Sequence, residues 1–358
     1  MKRLTSVSLL VAGMMIAAVA RGQESPSPWK DASGTWEGGS APKVTKMAAW
    51  PGKDEVIASA WGNGLWSTVD GGAHWKRMGQ PGKTPPNAGG AVQFVFDPKN
   101  PQTMWTSGMY NYGVWKTADG GKTFTHLGNN NHVDGITVDF TDPARNTLLI
   151  GLHEQEHSLH KSTDGGLTWV KIGDKVPQGS EHTTDPIILD TKTYLTDSNG
   201  WSKPGESWAI YRTTDGGDTW TKVSSEGAAG NATITSNGNI FWSCQWDQRI
   251  IKSADHGKTW TKVNGPVHGI VVEVSPGRLV ALGNNNKTQL CVSKNGGKNW
   301  TRIGTPAPFK AGGLTYDAVR KSFFLWATDD GGRTRSGGAI VRWDLPADVE
   351  SVFSAAPE

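Results

Sequence analysis

The sequence predicts an all-β chain: a single seven-bladed β-propeller of four-stranded blades, its last blade closed by an N-terminal strand. Three observations carry this reading. A turn-like phrase ending in an aromatic residue recurs six times, with 40–51 residues between successive anchors, and repeats of this length mark solenoids and propellers. The segments ahead of each phrase, such as "TMWTSGMY" and "GVWKTAD", alternate apolar and polar residues as half-buried strands do. A second set of turn signals, among them "DPKNPQT", "TSNGN" and "VSPGR", lies about twenty residues ahead of each anchor, the spacing that pairs of short strands require.

Taken in order, the chain opens with "MKR" and the apolar stretch "LTSVSLLVAGMMIAAVA", which ends in Ala18-Val19-Ala20. A basic start, a short apolar run and a small-residue site read as a secretory signal peptide. Residues 1–22 are therefore expected to be removed, leaving 23–358 as one propeller that is secreted or periplasmic, with no membrane insertion. Next comes "DASGTW", Asp31 to Trp36, a cryptic copy of the phrase with no strands before it. It is expected to complete the last blade by pairing around Ala339–Trp343.

The six full copies are anchored at Asp70, Asp119, Asp164, Asp215, Asp255 and Asn295, and each has its aromatic residue five positions later. Each reads as the turn between the third and fourth strands of a blade. The acid accepts backbone N–H groups of the turn, the glycine pair supplies positive φ, and the aromatic residue packs between blades. His256 replaces the first glycine of its copy, so that turn is expected to bend differently or carry mild strain. From Gly312 onward the chain offers three strand-like runs and no fourth, which leaves the place that the N-terminal segment fills.

Composition narrows the function. With 46 Gly, 18 Trp and a net charge of +3 there is no basic stripe, so nucleic acid is not an expected partner. The two cysteines, Cys244 and Cys291, do not make a disulfide framework. Cys291 occupies a packing position and reads as a buried thiol, with a Cys244–Cys291 bridge left open.

The repeated phrase, S/T-x-D-x-G-x-T-W in form, resembles the Asp-box or BNR repeat. Sialidase-like and xyloglucanase-like glycan-active propellers carry it, as do sortilin-type receptors and photosystem assembly factors. The resemblance covers the repeats of the chain and implies a propeller whose boxes lie away from the ligand face. The Arg-Ile-Pro motif of sialidases is absent, as is a spread arginine triad. What the resemblance implies is a carbohydrate-active protein with a polysaccharide or oligosaccharide partner, expected as a monomer. A non-enzymatic, assembly-factor-like interaction propeller is the alternative.

The face opposite the repeated turns carries the loops after the second strand of each blade and the connections between blades. There the sequence places His132 and Asp134 ("NNNHVDG"), His153 and Glu154 ("GLHEQEHS") and His182 ("GSEHTTDP") as candidate catalytic groups. Tyr110, Tyr112, Asp185, Trp201, Trp246 and His268 are candidate substrate contacts. Two carboxylates from neighbouring loops suit glycoside hydrolysis; clustered histidines beside a tyrosine suit β-elimination by a polysaccharide lyase, with or without a divalent metal. His153 to His157 match H-E-x-x-H letter for letter, but that zinc motif needs a helix to bring its histidines together. Here the segment lies between strands, and four extended residues span about 13 Å.

Overall fold

The computed structural model describes residues 27–39, 41–85, 90–177, 182–198, 208–244, 249–285, 288–327, 338–346, 348 and 350–354. The expected signal peptide lies outside these residues, as do Trp201 and Trp246.

Two short strands come first, β1 (Trp29–Asp31) and β2 (Thr35–Trp36). Blade 1 is β3 to β6 (Val44–Ala49, Val56–Ala60, Gly64–Thr68, His74–Arg77), and blade 2 is β7 to β10 (Gly90–Phe96, Met104–Met109, Gly113–Thr117, Thr125–His126). Blade 3 is β11 to β14 (Val133–Val138, Leu148–Leu152, Leu159–Ser162, Val170–Lys171), and blade 4 is β15 to β18 (Ile187–Ile188, Tyr194–Ser198, Ala209–Thr213, Thr221–Ser224). Blade 5 is β19 to β22 (Thr233–Ile234, Ile240–Ser243, Ile250–Ser253, Thr261–Lys262), and blade 6 is β23 to β26 (Val267–Ser275, Arg278–Gly283, Leu290–Ser293, Thr301–Ile303). Blade 7 contains β27 to β29 (Ala311–Asp317, Ser322–Ala327, Ile340–Asp344), and a short helix, α1, spans Glu350–Ser354. Each blade is an antiparallel meander. First strands lie innermost, with β3 against both β27 and β7, and β7 against β11. The result is a seven-bladed propeller. Among the described residues no helix is long and apolar enough to cross a membrane.

The middle strands are buried on both sides, which is why "VIASA", "LLIGL" and "SFFLWA" are nearly continuous apolar runs. The apolar surface is divided among seven clusters, each formed where one blade meets the next. Ile57, Leu65 and Phe94 join blades 1 and 2, and Leu149, Leu159 and Tyr194 join blades 3 and 4. Both cysteines are buried thiols, so no disulfide joins them across blades 5 and 6.

The N-terminal strand does close the last blade, but it is β1 that does so. Trp29 pairs with Trp343, Lys30 with Arg342 and Asp31 with Val341. Thr35 and Trp36 depart from expectation: they leave blade 7 and add a parallel strand to the outer edge of blade 1, opposite His74 and Trp75. The physical reason is the destination of the Trp36 ring, which stacks on Trp75 at 4.8 Å and meets Trp66 edge-on at 5.1 Å. Nor is Asp31 an anchor of the repeated kind. Its carboxylate accepts the N–H of Ser33, two residues on, whereas Asp70 accepts that of His74, four residues on.

The repeated turns do lie between third and fourth strands. In each, the acid or amide accepts the N–H four residues later, as Thr168 donates to Asp164 at 2.9 Å. A second acceptor escaped the sequence reading: the Ser or Thr two residues before the acid. Ser162 Oγ donates to Asp164 and accepts the buried Gly166 N–H at 2.8 Å, and Thr68, Thr117, Thr213, Ser253 and Ser293 repeat this. His256 keeps the shared bend by adopting φ 59°, where its counterpart Gly216 has 81°. The strain is that of a β-carbon in the left-handed region.

Two outcomes follow. Trp36→Ala removes a buried ring from the seam between blades 7 and 1 and is expected to cost about 3–5 kcal/mol, read by denaturant unfolding. Ser162→Ala leaves the Gly166 N–H buried without its acceptor. It should cost about 1–3 kcal/mol without altering ligand binding on the opposite face, and an unchanged unfolding midpoint would refute the hydroxyl's role.

Candidate functional site

Blades 3 and 4 meet on the face opposite the repeated turns, and the contact is close because two glycines allow it. A β-carbon at Gly135 or Gly151 would collide with the Thr184 backbone. The connection entering blade 4 is thereby laid against the ends of β11 and β12, where Ser158 Oγ donates to the Thr183 carbonyl at 3.0 Å. The loop after β12 is tied to the preceding connection by His153 N–H donating to the His132 carbonyl at 2.9 Å. Glu154 and Tyr110 take left-handed backbone angles, φ 52° and 55°, in their respective loops. Non-glycine residues in that region carry strain that clusters at functional sites.

These loops surround a cavity of about 280 Å³, whose lining includes Asp134, His153, Glu154, His182, Asp185 and Lys46. His153 Nδ1 sits 2.9 and 3.0 Å from the two Asp134 oxygens, and its Nε2 is 3.6 Å from Glu154 Oε1. Burial alone would lower the His153 pKa, but the Asp134 hydrogen bond and the two carboxylate charges leave it raised. The His132 and His153 rings are 4.7 Å apart. Tyr110 stands edge-on to both, at 4.8 and 5.6 Å. The Tyr110 N–H donates to His132 Nδ1 at 3.0 Å. His132 is therefore neutral with its proton on Nε2, in keeping with a pKa lowered by burial and by His153.

Beneath this cluster lie two buried carboxyls. Asp197, on β16, is fully buried; its Oδ1 accepts the Thr184 and Asp185 N–H groups at 2.9 and 2.8 Å, and its Oδ2 the Thr184 hydroxyl at 3.1 Å. Asp185 Oδ2 accepts the Gly230 N–H at 2.7 Å and lies 3.3 Å from the Thr184 hydroxyl oxygen. Burial pushes both pKa values well above the usual carboxylate range. The charge of Asp134 adds to the effect on Asp185, and that of Asp185 to the effect on Asp197.

The candidates from the sequence thus divide. His132, Asp134, His153, Glu154 and Tyr110 come together, and His182 and Asp185 line the same cavity as His153. Tyr112 is no substrate contact: it is 1% exposed, packed in the seam between blades 1 and 2, with its hydroxyl 3.4 Å from that of Thr106. Tyr110 and Asn111, both with left-handed backbone angles, turn the chain between the two rings, and Tyr110 is the exposed one. His268 lies on β23, opposite Leu282, and does not line the cavity. The H-E-x-x-H match builds no helix; His153 and Glu154 occupy a turn. Lys46 was missed, because a lysine on a first strand gives no local sign that its strand lines a channel.

One group of possible metal ligands emerges among the described residues: His132, His153 and Glu154, with ligand atoms within 4.8 Å of one another. His153 suits a metal, since a carboxylate on Nδ1 leaves the Nε2 lone pair free. His132 does not, because the Tyr110 N–H occupies its Nδ1 lone pair and the proton sits on Nε2. The set as held fits proton transfer better than metal binding.

A family profile described as the DUF6242 beta propeller domain matches residues 166–316. A xyloglucanase of a Paenibacillus species is 29% identical over 167 residues, which is 46% of this chain but 13% of that enzyme. Among solved structures, the Niastella koreensis GH74 enzyme superposes with a TM-score of 0.60 at 17% identity, over 83% of this chain and 52% of that one. A YCF48 structure bound to D1 peptide gives 0.57 at 15% identity, over 89% and 97%. The chain therefore spans about half of the GH74 enzyme and a small part of the xyloglucanase. The structural likenesses establish the propeller fold.

The acid pair has a measurable consequence. Both carboxyls have folded-state pKa values above the ordinary 3.8, so their ionisation opposes folding. Their contribution is intact below about pH 4 and is lost as pH rises through the folded values. Asn at position 197 can still accept the two backbone N–H groups. Asp197→Asn should therefore fold and gain stability relative to the parent as pH rises from about 4; unfolding midpoints across a pH series test this, and parallel curves would contradict it.

Proposed function

We propose that this chain is a carbohydrate-active propeller whose cavity cleaves glycan chains by acid–base chemistry. The observation that carries this is the pairing, in one cavity, of a buried carboxyl whose pKa burial raises to about 6 and a histidine seated on a carboxylate. Groups whose surroundings drive their proton affinities to opposite uses mark an acid and a base. Asp185 serves as proton donor: the Gly230 N–H it accepts falls on Oδ2, which leaves Oδ1 for the proton. His153 serves as base through Nε2, with Asp134 fixing the tautomer. His132 Nε2–H and His182 orient substrate, and Tyr110, 45% exposed and 5.4 Å from Trp61, offers a rim on which a sugar ring can stack. The xyloglucanase similarity supports a glycan as the substrate class. Export by the segment at 1–22 belongs to the same reading.

The aromatic rim also favours a second reading, binding without turnover. Activity screening of the purified chain against plant, algal and bacterial glycans separates the two. Asp185→Asn and His153→Ala should each lower turnover by about 100-fold or more while melting within a few degrees of the parent. Binding that survives both changes, with no cleavage of any glycan by the parent, would favour the second reading.

A further inference from the structure

Lys46 is a cation in an unusual position. It lies on β3, the innermost strand of blade 1, half-buried, and lines both the reactive cavity and an adjoining one of about 400 Å³. Among the described residues its ammonium makes no hydrogen bond or ion pair. Burial lowers its pKa, and only the charge of Asp185 opposes this. A cation withdrawn from water is normally paired, as Arg145 is with Asp97 at 2.9 Å. The adjoining cavity includes Trp61, Ile270, Gly313 and Trp326 in its wall. The Gly313 backbone packs on the buried Trp326 ring, and the aromatic ring left open in that wall is Trp61, 43% exposed. An exposed aromatic ring and a cation in one cavity wall suit a sugar ring that carries an anion.

We propose that Lys46 receives the carboxylate of a uronic-acid unit, and that the cavity cleaves its glycan by β-elimination. This rests on the acid–base reading above and names its substrate. With the carboxylate neutralised by Lys46, the proton on the adjacent ring carbon becomes acidic enough for a side-chain base. His153 Nε2 takes that proton. The electron pair forms a carbon–carbon double bond as the neighbouring carbon–oxygen bond breaks, and the leaving oxygen takes the Asp185 proton. Atoms and electrons balance with no further reactant. Substrate binding supports the step, because an anion on Lys46 cancels the positive charge that otherwise lowers the Asp185 pKa.

The test uses the full chain with trigalacturonate, a neutral xyloglucan oligosaccharide and a sulfated neutral oligosaccharide for binding, and with uronate polymers for cleavage. Calorimetry should detect trigalacturonate in preference to the others. Lys46→Met should weaken that binding about 10- to 100-fold, with Lys46→Arg restoring part of it. Lys46→Met should not lower the melting temperature, since it removes a cation that has no ion pair among the described residues. Cleavage of a uronate polymer should generate the ultraviolet absorbance of a conjugated double bond. New reducing ends without that absorbance, preference for the neutral or sulfated probe, or unchanged binding by Lys46→Met would overturn the inference and leave acid–base cleavage standing. Failure to cleave any glycan would overturn both.

Discussion

The constraint on which the molecule depends is closure of the ring. A blade buries its apolar surface against its neighbours and has no core of its own, so each seam needs both walls. The seam between blades 7 and 1 is the vulnerable one, because its partners lie at opposite ends of the sequence. The chain ties it with two short segments in succession. β1 supplies the missing outer strand of blade 7, with Trp29 donating from its indole to the Thr305 carbonyl at 2.9 Å. Ala32 then passes the chain across, its carbonyl accepting the Trp75 indole N–H at 3.0 Å, and β2 sets Trp36 into the aromatic group of blade 1. A single strand extending blade 7 would complete a sheet; this arrangement also fastens the two ends to each other.

A closed ring separates scaffold from chemistry. The repeated turns sit on one face, where Ser or Thr and Asp saturate the N–H groups of each bend. Hydrogen bonding holds these acids low: the Thr168 hydroxyl and N–H bring Asp164 to about 2. They are stabilising, ionised and away from the channel. The opposite face has no repeated rule. Its loops differ in length and composition, and titratable groups gather where blades 3 and 4 meet. The buried carboxyls there behave oppositely, held above the ordinary range by burial, with the charge of Asp134 acting on Asp185 and that of Asp185 on Asp197. The same residue type, aspartate, is thus a turn acceptor on one face and a proton reservoir on the other.

Position in the blade decides much of the site. Asp134 opens an innermost strand, His153 follows a second strand, and Asp185 precedes the innermost strand of the next blade. Three loops far apart in sequence are thereby stacked around one mouth of the channel, with Lys46 reaching it from blade 1. The absence of side chains at Gly135 and Gly151 brings the blade 4 connection near enough for Asp185 to feel the charge of Asp134.

The sequence by itself determined the repeat, the four-strand blade, the seven-fold count and the face on which candidates would fall, because period-two patterning and turn chemistry are local properties. It also brought His132, Asp134, His153 and Glu154 into consideration, since strand counting assigns loops to faces. Tertiary structure alone decided which aromatic at 110 and 112 faces solvent, because one residue of backbone turn reverses a side chain. It decided that Trp36 serves blade 1 and not blade 7, because a stacked ring outweighs the like spacing of "DASGTW" to the other copies. It decided also that Asp185 and Asp197 share buried space and that Lys46 lines the same cavity as Asp185 with no ion pair among the described residues. Burial and the approach of charges are set by residues from other blades, and no local pattern records them.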